Sequence, residues 1–168
     1  MDLNIEKLKN FRVFSGLKSE DIQQFISSIF TKKIKSGTNI VQEGKKEDQL
    51  IFLLEGECSV TMALTLQTSL IEKDNRAKEV YKASAKDFPV FGEINIGEEK
   101  DHTANVNAKT DCVIGVLQAK IFLEICKNNP DIGYYIMKNV VDIMCDRFEQ
   151  SSKTVLKLST AISLLLER

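Results

Sequence analysis

Residues 91–106 read Phe-Gly-Glu-Ile-Asn-Ile-Gly-Glu-Glu-Lys-Asp-His-Thr-Ala-Asn-Val. They lie between two runs of alternating apolar residues, and within them glycine and charged groups displace that alternation. A shaped loop set into a sheet fits this pattern. Gly92 and Gly97 open backbone angles that other residues avoid and let a ligand approach the main chain. Glu93, His102 and Thr103 supply an acceptor, a titratable donor and a hydroxyl. Together these residues point to a pocket; a plain polar hairpin loop is the other reading of the same pattern.

The flanks decide the fold class. From Thr31 onward Gly37, Gly44 and Gly56 punctuate short apolar runs at Ile40 and Val41 and over residues 50–54. Close-spaced turns between short strands predict an antiparallel sheet that folds back on itself. Cys58, Val60, Met62, Leu64 and Leu66 alternate with small or polar residues, the signature of a strand with one face buried. Residues 67–86 are polar around Asp74 and Asn75, with Leu70 and Ile71 before and Val80 and Tyr81 after, which predicts a long hairpin. Pro89 removes an amide from any ladder and predicts an edge or bulge beside the pocket. Beyond the central stretch, Ala104, Val106 and Ala108, then Cys112, Ile114 and Val116, restore the alternation and close a roll over residues 31–117.

Helices bracket the roll. Ile5, Leu8 and Phe11 keep helical spacing within residues 1–30. A second helix is expected over residues 19–30, with Ser19 as its cap, Glu20 and Asp21 at its positive end, and Ile22, Phe25, Ile26 and Ile29 on one face. Residues 118–168 continue as helix: one from about 119 to 127 with Ile121, Phe122 and Ile125 inward, a break at Asn128-Asn129-Pro130, and a long one over about 131–168. Along that last helix Met137, Val141, Met144, Phe148, Ser151, Val155, Leu158, Ile162 and Leu165 recur in steps of four and three, the seam of a coiled coil. The first turns are expected to pack this stripe against the roll. The remainder needs a partner.

Composition narrows the classes. The 168 residues, 43% of them hydrophobic, suffice for one domain with a core. The 23 basic and 24 acidic residues leave a net charge of −1, so no global field favours nucleic acid or an anionic membrane. The start has no basic end followed by an apolar core, and no run reaches the length of a membrane span, which together predict a cytoplasmic protein. Cys58, Cys112, Cys126 and Cys145 lie scattered in apolar contexts and are expected to be buried thiols rather than metal ligands. A roll-based enzyme such as a metal-dependent cupin needs several histidines, and His102 stands alone, so neither a metal nor a catalytic residue is expected.

Phe91-Gly92-Glu93, followed nine residues later by His102-Thr103-Ala104, resembles the phosphate-binding cassette of the cyclic-nucleotide-binding domain family, of which the catabolite activators are members. Val41-Gln42-Glu43-Gly44 and Leu54-Glu55-Gly56 resemble that family's turns. The resemblance implies a mostly β fold, an antiparallel β-roll of the double-stranded jelly-roll type with N-terminal helices and a long C-terminal helix, as one domain over 1–168. It implies a ligand site of Phe91, Gly92, Glu93, Ile94, His102, Thr103 and Ala104, the cassette covering 91–104. In the family the Glu accepts a ribose hydroxyl, nearby amides cradle the cyclic phosphate, and an Arg pairs with its charge. Here that position is His102. Lys86-Asp87-Phe88-Pro89-Val90 also departs from the usual Gly-Asp, with two extra residues. Ser151 and Ser152 resemble, after one extra helical turn, the hydroxyl pair that meets the purine; alternatively Ser151 is a small polar interruption that fixes register in the seam.

The implied function is a non-enzymatic regulatory sensor with a cyclic nucleotide, cyclic AMP or cyclic GMP, or a related small anion as ligand and no other cofactor. A homodimer through Met144, Phe148, Ser151, Val155, Leu158, Ile162 and Leu165 would present its state to an unknown protein partner. Arg offers a permanent charge and a two-pronged fork, while His is neutral over much of its population near pH 7. Loss of a charge-assisted bond of about 1.5–3 kcal/mol weakens binding by about one to two powers of ten. The alternative is therefore a degenerate pocket in a constitutive dimeric adaptor. The chain ends at Arg168 without residues for a helix-turn-helix, so direct DNA binding is not expected, nor is a membrane.

Overall fold

The glycine-punctuated runs become strands whose pairing explains their composition. The structure, a computed structural model, describes residues 3–63, 77–93, 96 and 100–166. Leu64, Leu66, Leu70, Ile71, Asp74, Asn75, Ile94 and Gly97, on which parts of the sequence reading fall, lie outside those residues. Among the described residues, β1 (Phe30–Ile34), β2 (Asn39–Val41), β3 (Gln49–Glu55), β4 (Glu57–Ala63), β5 (Ala77–Ser84), β6 (Val90–Phe91), β7 (Asn105–Ala108) and β8 (Cys112–Gln118) form two antiparallel four-stranded sheets. Their orders are β1-β8-β3-β6 and β2-β7-β4-β5, a jelly roll.

The middle of the first sheet is apolar on both faces because both are covered. Leu50, Phe52 and Leu54 of β3 enter a cluster with Leu8, Phe14, Phe25, Phe122 and Ile136 from the helices. The alternate residues Ile51 and Leu53 enter the interior of the roll with Val60, Phe91, Val106, Ile114 and Val116. A continuous apolar run is what a strand between two layers requires. Phe14 stacks on Phe52 at 5.6 Å between ring centroids, and Phe11 meets it edge-on at 5.2 Å. The β3–β4 connection turns at Gly56, with φ +92; a Cβ there would sit 2.6 Å from the Asp111 carbonyl oxygen, so only glycine fits. Pro89 immediately precedes β6, the edge strand of its sheet, as its missing amide predicts. The hairpin expected over 67–86 has its stem in β4 and β5, which pair from Glu57 with Ser84 to Ala63 with Ala77.

The helices are α1 (Ile5–Lys9), α2 (Ser19–Ile26), α3 (Ala119–Asn128) and α4 (Pro130–Leu166), with a 3-10 turn at Arg12–Phe14. Two expectations shift at α2. Its N-cap is Lys18, not Ser19: the Lys18 amide donates to the Asp21 carboxylate at 3.0 Å, and Ser19 is already helical. The helix stops at Ile26 rather than reaching residue 30, because Phe30 pairs with Val116 and opens β1, where over half its surface is exposed. Pro130 starts α4, a position that needs no amide donor.

α4 corrects a third expectation. It packs against the body through Ile132, Ile136, Asn139 and Val140, not through the stripe that holds Met137 and Val141, both of which are exposed. A second stripe of the same four-and-three spacing, displaced by one residue, does the docking. A fourth correction concerns the thiols. Cys58, Cys112 and Cys126 are buried, but Cys145 is exposed, because it lies on neither the docking stripe nor any face the body covers. No helix among the described residues is long and apolar enough to cross a membrane.

Candidate ligand-binding site

The expected pocket forms where the edge of the first sheet meets the second. β6 pairs with β3, Phe91 opposite Ile51 and Val90 opposite Phe52. The next residue, Gly92, has φ +90, and a Cβ there would overlap the Gln49 carbonyl oxygen. Glycine alone lets the chain leave β6 at this angle and turn Glu93 inward, where it is only 5% exposed. On the opposite wall His102 is fixed through its backbone. Its amide donates to the Lys45 carbonyl and its carbonyl accepts from the Gly44 amide, both at 2.9 Å. The imidazole is buried.

Glu43 holds the intervening turn. Its Oε2 accepts from the Ala63 amide at 3.0 Å and from Asn105 Nδ2 at 3.1 Å, while Asn105 Oδ1 accepts from the Glu43 amide at 3.0 Å. The turn motif that sequence reading found at residues 41–44 thus braces β7 and β4 beneath the loop.

These elements enclose a cavity of about 190 Å³. Phe91, Gly92, Glu93, His102, Thr103 and Ala104 all line it, so six cassette residues expected from sequence are brought together. Val41, Val60, Met62, Val80, Tyr81 and Val106 make the rest of the wall apolar. Ser151 and Ser152 are exposed on α4 and lie outside this lining. Met144, Phe148, Val155, Leu158, Ile162 and Leu165 are all exposed on the single chain.

Sequence reading missed Arg147. This α4 side chain reaches the cavity, where Nη1 donates to Glu93 Oε1 and Nη2 to the Val90 carbonyl at 2.9 Å. Glu93 Oε2 is buried without a hydrogen-bond partner among the described residues. The nearby Tyr81 phenol is pushed up by burial, against the opposing influence of the Arg147 charge. A larger cavity of about 490 Å³, between α4 and Pro89–Val90, shares Tyr81, Glu93 and Arg147 with the first. One signal was available: arginine is scarce in this chain, at Arg12, Arg76, Arg147 and Arg168. Arg147 lies four residues before Ser151. Among the described residues no group of histidine, cysteine and acidic side chains is arranged to hold a metal ion.

Comparison with known proteins places this geometry. A family model, the cyclic nucleotide-binding domain, matches residues 31–129. The cAMP-activated global transcriptional regulator CRP of Salmonella typhimurium is 26% identical over 112 residues, 66% of this chain and 49% of that protein. The chain thus spans about half the length of the curated relatives it matches. A cyclic nucleotide-binding domain from Methylobacillus flagellatus superposes with a TM-score of 0.74 at 18% identity, covering 90% of this chain and 80% of that one. The catabolite activator protein of Thermus thermophilus gives 0.72 at 16% identity, with 88% and 63% covered. At these identities the likeness to solved structures speaks for the fold.

Proposed function

Because the chain belongs to the cyclic nucleotide-binding domain family, we propose that it is a non-enzymatic regulatory sensor in which a cyclic nucleotide, or a related small anion, enters the cavity and alters the placement of α4. The bond from Arg147 to Glu93 carries this reading, since it joins the cavity wall directly to the long helix. A ligand that engages Glu93 must act on that bond, and any shift in α4 is limited by the ligand's differential affinity for the two helix positions. Resemblance to the family gives Glu93 the ribose hydroxyl, the amides around Gly92 and Ala104 the phosphate, and Thr103 a further hydrogen bond.

In this reading the whole chain is one such domain, and the protein is cytoplasmic. The stripe from Met144 to Leu165 runs about 32 Å at 1.5 Å per residue and pairs with a second copy in parallel. Phe148, three-quarters exposed, is its largest apolar group. Ser151 and Ser152 lie one turn beyond Arg147, where a second subunit could bring them toward a ligand. The dimer presents its state to a protein partner.

One observation favours the alternative of a constitutive dimeric adaptor. The cavity's 190 Å³ falls below the roughly 300–1,000 Å³ of small-molecule sites, so a nucleotide enters only if the wall that includes Arg147 yields. Isothermal titration with cyclic AMP, cyclic GMP and cyclic dinucleotides between pH 6 and 8, on the parent and on His102→Arg, separates the two. Sensor function predicts heat of binding to the parent and an affinity about 10- to 100-fold higher in the variant. Absence of binding to either protein would remove the cyclic-nucleotide reading and favour the adaptor.

A further inference from the structure

Among the described residues that line the cavity, the basic side chains are His102 and Arg147, and the arginine is the one that reaches in from α4. We propose that Arg147, rather than His102, is the principal anchor for the ligand's anionic group, so that the guanidinium the cassette lacks at position 102 is supplied by the helix that responds. This assignment rests on the reading of the cavity as a ligand site.

The hydrogen-bond inventory supports it. A guanidinium has five N–H donors; one from Nη1 goes to Glu93 Oε1 and one from Nη2 to the Val90 carbonyl. The remaining donors sit on a side chain 35% exposed, within reach of an entering molecule. Glu93 is in the opposite state. Its side chain is 3% exposed, and its Oε2 has no hydrogen-bond partner among the described residues. Side by side, the pair offers an anion-binding fork and a buried acceptor. A molecule that carries an anionic group and a hydroxyl a few ångströms apart, such as a phosphorylated sugar or a nucleotide, satisfies both. A fork also binds phosphate oxygens in two places, which an imidazole does not.

The pair has a regulatory consequence. An anion drawn to Arg147 competes with Glu93 for the same guanidinium, and a hydroxyl offered to Glu93 relieves the carboxylate of that bond. Capture of the ligand and loosening of the contact between α4 and the cassette are then one event. If His102 were the anchor, the anion would be held by a residue whose backbone bonds go to Gly44 and Lys45, remote in sequence from α4.

The test uses the full chain with four probes: cyclic AMP, cyclic GMP, 5′-AMP and inorganic pyrophosphate. Affinities are measured for the parent, Arg147→Lys, which keeps the charge and loses the fork, and His102→Gln. Because loss of the arginine's geometry could disturb α4, the double variant Arg147→Gln/Glu93→Gln, which removes both charges together, is melted and titrated alongside. The expected result is a loss of about tenfold or more in Arg147→Lys, a smaller loss in His102→Gln, and no binding by the folded double variant. Hydrogen exchange supplies a second readout: ligand changes protection at α4 residues 143–150 in the parent but not in Arg147→Lys. A larger loss in His102→Gln than in Arg147→Lys would overturn the assignment and leave the sensor reading intact. Binding of 5′-AMP or pyrophosphate that needs Arg147, with no binding of either cyclic nucleotide, would uphold the assignment and remove the cyclic-nucleotide reading. If none of the four binds the parent, both fall.

Discussion

The two halves of α4 share a helix and a spacing of apolar residues, yet they have opposite surroundings. In the first half Ile132, Ile136, Asn139 and Val140 are buried against the body. From Phe148 to Leu166 every residue is exposed, including Val155, Leu156, Leu158, Ile162, Leu164 and Leu165. Arg147 stands at the border and is the last residue of the helix that the rest of the chain partly covers. The difference teaches that a period of three and four marks an apolar helix face, but not whether the body covers it. In the first half the body supplies the cover; from Phe148 onward nothing among the described residues does.

The sharpest attempt to break this comparison is a pair of truncations. Ile136→Ala empties a fully buried position between α4 and the core that contains Phe14 and Leu8. It is expected to lower unfolding free energy by about 2–5 kcal/mol in urea denaturation. Leu158→Ala removes the same kind of side chain from a half-exposed site that no described element outside α4 covers. At a concentration low enough to keep single chains it is expected to cost less than about 0.5 kcal/mol, while weakening self-association in sedimentation experiments at higher concentration. Equal costs at low concentration would mean that the distal half has cover within the chain after all.

A smaller effect is expected at Asn139, the polar residue among the docking contacts. Its Nδ2 donates to the Val13 carbonyl at 3.1 Å and to the Ser15 carbonyl at 2.7 Å, tying α4 to the 3-10 turn and the residue after it. Arg12 of that turn also pairs with Asp146. Asn139→Ala leaves two carbonyls without their donor and is expected to cost about 1–3 kcal/mol. Because the neighbouring Arg12–Asp146 pair is half-exposed and of little consequence for stability, Arg12→Ala should be near neutral in the same assay. If the order of the two is reversed, charge rather than buried hydrogen bonding holds the N-terminal segment to the helix.

Much of this was legible before any coordinates. Alternation and glycine turns pointed to an antiparallel roll, while the order of strands within its two sheets came only from the structure. The cassette residues Phe91, Gly92, Glu93, His102, Thr103 and Ala104 converge as their order implied. What sequence reading lost was long-range. Arg147 is 54 residues from Glu93, and no local pattern announces which face of α4 the side chain occupies. The docking stripe at Ile132, Ile136 and Val140 had the same period as the exposed seam, so period could not choose between them. Ser19 was displaced as a cap because helices begin where flanking backbone bonds allow, and the Lys18 amide found Asp21.

The thiols provide the mildest test, with one on each side of the comparison. Cys126 lies in the core beneath the first turn of α4, and burial pushes its thiol up to about 11. Within the roll, burial pushes Cys58 up to about 12, with a further contribution from Cys112. A thiol whose folded value is raised prefers to stay protonated in the native state. Its contribution to stability is therefore complete below the ordinary value of 9.0 and is lost as pH climbs through the folded values. Stability is expected to fall between about pH 9 and 12, and Cys58→Ala to make that fall shallower in denaturation curves taken across the window. Reactivity follows the same logic, since the thiolate is the nucleophile. At pH 8 a chromogenic disulfide reagent should react promptly with the exposed Cys145 and slowly, at the rate of unfolding, with the three buried thiols. Prompt reaction at Cys126 would show that α4 lifts from the body in its first half too, and the contrast between the two halves would then be one of degree.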